Sequence, residues 1–142
     1  LAAADHALVH DELVDPPGDS AFDKLHEASE IAPGDPRVVA ANRRFVATVA
    51  ACVQQKMTDN SLARASACFD ALTTVQPTYR SLPSMRTTLA KHWLAYADER
   101  IGAGELDTAQ RAIDSAKRLT PDDPAIAAMD ERLRQARAGS KR

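Results

Sequence analysis

At 142 residues the chain is the size of one domain, able to bury an ordinary hydrophobic core. Alanine makes up about a fifth of it, only 4% of residues are aromatic and five are glycine. That composition favours helix, since alanine carries the smallest helix cost, and strand formers never alternate far enough to suggest a sheet. The formal net charge is −2, but residues 1–35 hold nine acidic side chains (Asp5, Asp11, Glu12, Asp15, Asp19, Asp23, Glu27, Glu30, Asp35) against Lys24 alone. This is a balance of −8 that leaves +6 on the remainder. An acidic head and a basic tail can steer charged partners or stack copies head to tail; the plainer alternative is solvated helix faces of drifting composition.

In chain order, Ala2 to Val14 reads as a helix ended by Asp15-Pro16-Pro17-Gly18. The segment SAFDKLHEASEIAPGDPRV from Ser20 carries a second helix that stops at Pro33. Asp35-Pro36 places a capping carboxylate before a proline at the first helical position. From Pro36 the chain then runs to about Met57 without Gly or Pro, enough for ~33 Å of helix. Thr58-Asp59-Asn60-Ser61 breaks it. RASACFDALTTVQPTYRSL from Arg64 holds the next helix, and a second long one runs from about Pro83 to Ile101, stopping at Gly102-Ala103-Gly104. TAQRAIDSAKRLTPDDPAI from Thr108 follows. Asp123-Pro124 then starts a last helix, amphipathic through Ile126, Met129 and Leu133, that runs to about Ala138 and frays into Gly139-Ser140-Lys141-Arg142.

The segments from Ser20, Arg64 and Thr108 superimpose without gaps at a spacing of 44 residues. Ala21/Ala65/Ala109, Leu25/Phe69/Ile113, Ala28/Leu72/Ala116 and Ile31/Val75/Leu119 place apolar residues at steps of four, three and three, one face of a helix. Pro33/Pro77/Pro121 end each helix, and Val38/Leu82/Ile126 match beyond. The fold expected is all-α, a single domain over residues 1–142 with helix pairs at about 1–33, 35–77 and 81–121 and a closing helix at about 124–138, seven helices in all.

Within this register, WLAYADERIGAGELDTAQRAIDSAKRLTP, from Trp93 to Pro121, resembles a tetratricopeptide repeat. Trp93, Tyr96, Ala97, Gly104, Ala109, Ile113, Ala116 and Pro121 occupy that family's signature positions, while Arg100 stands where it usually has Tyr. In the middle copy Val49, Cys52 and Val53 stand in for Trp, Leu and Gly, and Ala65, Phe69 and Pro77 match; the first copy retains mainly its second helix. The resemblance implies an α-solenoid, a right-handed array of antiparallel helix pairs. The family's usual unit is 34 residues; here about ten more precede each Trp-equivalent position, so the first helix of each later pair is expected to be lengthened at its N-terminal end by nearly three turns.

Cys52 and Cys68 are the only cysteines. They lie about seven residues before and eight after the middle turn, at similar heights on neighbouring helices. Two readings stand: a disulfide closing a loop of about 15 residues, worth ~3 kcal/mol in the chain-entropy model, or two buried thiols acting as small apolar side chains. A disulfide would imply an oxidising compartment, so a periplasmic or membrane-tethered setting is expected over the cytoplasm. The longest apolar run, Phe45 to Val53, is far short of the ~20 residues of a membrane span, so no direct insertion is expected. Because the chain opens on Leu1 rather than Met, it is expected to be a piece of a longer protein, with any signal peptide or anchor upstream.

His6 and His10 lie one helical turn apart but lack a third ligand at a convincing spacing, so no metal is expected. Neither GxSxG nor HExxH occurs, and no glycine loop joins a strand to a helix to cradle phosphate. Accordingly no enzyme activity and no cofactor is expected. The basic tail (Arg132, Arg134, Arg137, Lys141, Arg142) lacks interleaved aromatics, which argues against nucleic acid. What the family resemblance implies instead is a module binding a peptide or protein partner in a groove. Its positions carry over as His6 and His10 in the first pair, Ala50 and Gln54 in the second, and Lys91, Leu94, Asp98 and Ile101 in the third. Of the Lys/Asn set that clamps a C-terminal carboxylate in some members, only Lys91 has a match, so a carboxylate-tail ligand is not expected. The alternative is a structural spacer or self-association domain of a membrane-anchored periplasmic protein, with homo-oligomers formed head to tail.

Overall fold

A computed structural model describes Lys24, Glu27, Ala28 and residues 30–140. Among these residues every regular element is helical: α1 Pro36–Thr58, α2 Leu62–Val75, α3 Leu82–Gly102, α4 Leu106–Leu119 and α5 Pro124–Ser140. The helix expected over Ala2 to Val14 lies outside the described residues. Of the one expected after Ser20, Lys24, Glu27, Ala28, Glu30 and Ile31 are helical. The tail does not fray at Gly139, since α5 carries on to Ser140. The chain divides into two compact units, Leu1–Leu82 and Pro83–Arg142.

In the first unit, α1 begins where the Asp35 carboxylate accepts a hydrogen bond from the Arg37 backbone N–H at 2.8 Å, with Pro36 leading the helix. It ends in a three-residue turn to α2, in which Asn60 adopts a left-handed φ of 57°, a conformation asparagine tolerates better than most residues. α1 buries Val38, Ala41, Phe45, Val49, Val53 and Met57 along one face, and α2 buries Leu62, Ala65, Cys68, Phe69 and Leu72. The two helices pack along each other.

In the second unit, α3, α4 and α5 share one core. It combines Leu94, Ala97 and Ile101 with Ala109, Ala112, Ile113 and Ala116 and with Ile126 and Leu133, and Trp93, Tyr96 and Met129 pack against it. Small residues on α4 let the backbones approach closely. Ion pairs fasten α5 at the surface: Arg132 to Asp98 of α3, and Lys117 to Asp130 and Arg137 to Asp107 from α4. Each is solvent-exposed enough to be worth under about 1 kcal/mol, so α5 is held chiefly by Ile126 and Leu133.

The 44-residue period reappears in the backbone. The amides of Ala32, Gln76 and Thr120 donate to the carbonyls of Ala28, Leu72 and Ala116 at 3.0, 2.8 and 2.9 Å. Three residues on, Asp35, Tyr79 and Asp123 donate to Ala32, Gln76 and Thr120. The turns after α1 and α3 also agree bond for bond: Asn60 to Met57 and Gly104 to Ile101, Ser61 to Lys56 and Glu105 to Arg100. Their left-handed residues, Asn60 and Gly104, are 44 apart. Side chains follow suit, since Val38, Leu82 and Ile126 are each buried to 3% exposure. Ile31 departs, at 78% exposure, where Val75 and Leu119 are half-buried.

Candidate functional site

The residues expected to line a groove do not share one kind of environment. His6 and His10 lie outside the described residues. On α1, Ala50 is buried and Gln54 exposed. On α3, Lys91 is exposed, whereas Leu94 and Ile101 belong to the core of the second unit and face α4 and α5 rather than solvent. Asp98 is half-exposed and ion-paired with Arg132. The groove side chains offered to solvent are therefore Gln54 and Lys91, with Asp98 engaged inside its own unit.

Cys52 and Cys68 form a disulfide, with Cα atoms 6.1 Å apart, inside the range such bonds accept. The hairpin geometry decides this: the short turn holds the helices side by side, and Ala65 beside the bridge is fully buried and leaves room. Cys68 is buried and Cys52 half-buried.

Arg100, the departure from the family's tyrosine, braces the turn between α3 and α4. Its guanidinium donates to Glu105, the residue preceding α4, and to Glu99, each at 2.9 Å, and lies 5.4 Å from the centre of the Tyr96 ring. Those hydrogen bonds, Glu105 first, hold it still more firmly protonated than an ordinary arginine. Likewise the Arg37 guanidinium, by its hydrogen bonds to Asp35, holds that carboxyl below the usual carboxylate range.

One concavity in the first unit was not anticipated. The 23 residues of α1 outlast the 14 of α2 by nine, so the N-terminal part of α1 projects about 13 Å beyond the end of its partner. In the corner between this overhang and the end of α2 opens a cleft of about 500 Å³. Its apolar lining is Val39, Val46 and Ala47 from α1 and Val75 from α2; Asn42, Arg43, Gln76 and Tyr79 supply polar groups. A signal existed in the Val38-Val39 pair, since consecutive helical residues lie about 100° apart and both cannot point at one core. Val38 is buried and Val39 is 41% exposed.

Among the described residues no group of three or more His, Cys, Asp or Glu could hold a metal ion, and no helix is long and apolar enough to cross a membrane. Comparison of the chain with protein-family models, with curated proteins and with solved structures finds no match in any of the three.

Proposed function

We propose that the chain is a repeat scaffold of the tetratricopeptide kind, with lengthened units, that binds a peptide or protein partner. The observation that carries this reading is the recurrence of the same helix ends and turn hydrogen bonds every 44 residues. A chain built from one repeated supersecondary unit presents the same helix face again and again, which suits extended ligands better than a reacting small molecule. On this reading Gln54 and Lys91 are contact residues, while Leu94 and Ile101 hold the scaffold in shape. The test is an array of short synthetic peptides probed with wild type and with a Gln54→Ala, Lys91→Glu double variant. Selective peptide capture, reduced in the double variant with helicity unchanged, is expected; capture of no peptide by the wild type refutes the scaffold reading.

The split between an acidic head and a basic remainder favours a second reading, a spacer or self-association domain. Light scattering at low and high salt separates the two: oligomers that dissolve in salt indicate self-association, and a monomer at both indicates a foreign partner.

A further inference from the structure

We infer that the cleft at the α1 overhang is the peptide-binding site, and that its ligand is an acidic segment carrying aliphatic side chains. This rests on the scaffold reading above and gives it a place and a chemistry. The first argument is charge. Across its 23 residues α1 carries Arg37, Arg43, Arg44 and Lys56 and no carboxylate. Arg37 is engaged by Asp35. Arg43 lines the cleft as its sole charged residue and has no carboxylate partner among the described residues. An exposed guanidinium on the rim of an apolar depression favours a carboxylate that brings apolar atoms with it, because such a ligand pairs the charge and covers the apolar lining together.

The second argument is the lining itself. Val39, Val46, Ala47 and Val75 make the lining mainly aliphatic, with Tyr79 the ring beside them, which suits Leu, Ile or Val. The Gln76 amide, which donates one N–H to Thr78 Oγ1 at 3.4 Å, has a second for a peptide carbonyl, and the Tyr79 hydroxyl can donate another. The third argument is continuity. Arg43, Ala47 and Gln54 are exposed positions on one face of α1, with the buried Ala50 between the last two. A ligand seated at Arg43 and Ala47 therefore lies on the same face of α1 as Gln54, the exposed groove position of this unit. The extra turns that lengthen α1 are the ones that make the cleft.

The experiment uses the whole chain and fluorescently labelled synthetic peptides in two series, leucines interspersed with Asp and Glu or with Lys. Fluorescence polarisation is read for wild type, Arg43→Glu and, as a charge-matched control on the exposed face of α2, Arg64→Glu. The acidic series should bind and the lysine series should not. Arg43→Glu should weaken binding by roughly tenfold or more, with Arg64→Glu near wild type, and added salt should weaken it further. Equal binding of both series, or binding indifferent to Arg43→Glu, overturns the proposal. If peptides bind and only the Gln54→Ala, Lys91→Glu variant loses them, the scaffold reading survives and the cleft assignment falls; if no peptide of any composition binds, both fall. Salt-sensitive self-association abolished by Arg43→Glu, with no foreign peptide bound, makes a second copy the occupant and likewise overturns the proposal.

Discussion

The hairpins α1–α2 and α3–α4 share one register, yet different groups close them. Where the first has Cys52 and Cys68 the second has Tyr96 and Ala112, in each case 44 residues on, so a covalent bridge in one corresponds to a large side chain beside a small one in the other. Around Tyr96 the second hairpin adds an edge-on contact with Trp93 at 6.3 Å and the Arg100 brace across the turn. The first has Lys56 and Ser61 at the positions of Arg100 and Glu105. The second helices differ too. α4 carries Asp107 in its first turn and Lys117 and Arg118 in its last, complementing the helix dipole, whereas α2 has no acidic residue in its first turn, where Arg64 sits, and no basic one in its last. One backbone plan thus tolerates two unrelated ways of holding its helices together.

The largest expected effect tests whether the equivalent positions are equivalent in energy. Phe69 and Ile113 are both buried at the centre of their hairpins. Phe69→Ala should cost roughly 3–5 kcal/mol and Ile113→Ala roughly 2–5 kcal/mol by denaturant unfolding. A cost below about 1 kcal/mol at either site would break the equivalence. A smaller effect is expected at the turns. Gly104 holds φ at +78° with open space where a Cβ would sit, so Gly104→Ala should destabilise through backbone strain alone, by about 1–2 kcal/mol. Asn60→Gly in the corresponding turn should be neutral or slightly stabilising. The smallest concerns the caps. Asp35 and Asp123 each accept from the backbone N–H two residues on, so alanine at either should speed hydrogen exchange in the first turn of α1 or α5. Because the Asp35 carboxyl is held below its ordinary range by Arg37, its contribution is complete above the usual carboxylate pKa. It is lost as pH falls through the lowered value, so the first turn of α1 should loosen only under strong acid.

The helix ends were legible in the sequence because proline and aspartate mark them chemically: Asp35-Pro36 and Asp123-Pro124 start helices, and the prolines at 77 and 121 follow close on the ends of α2 and α4. The period carried the pairing of α1 with α2 and hence the nearness of Cys52 to Cys68. Groove positions were less legible. Register specifies which face of a helix a residue occupies but not what packs on it, and Leu94 and Ile101 lie in the core that α3 shares with α4 and α5. The cleft was hidden for another reason. Its walls come from opposite ends of two helices, and only their difference in length, read together with the fold-back at Asn60, brings Val39 and Val75 to one depression.

The most direct test of the two-closure account is residue-resolved hydrogen exchange on the whole chain before and after reduction of the Cys52–Cys68 bond. The bridge spans 16 residues and should contribute about 3 kcal/mol, all of it to one hairpin. Reduction is predicted to lower protection of the slow amides across α1 and α2 by about two orders of magnitude while α3, α4 and α5 keep theirs. Unchanged protection in α1 and α2, or an equal loss in both units, would contradict it.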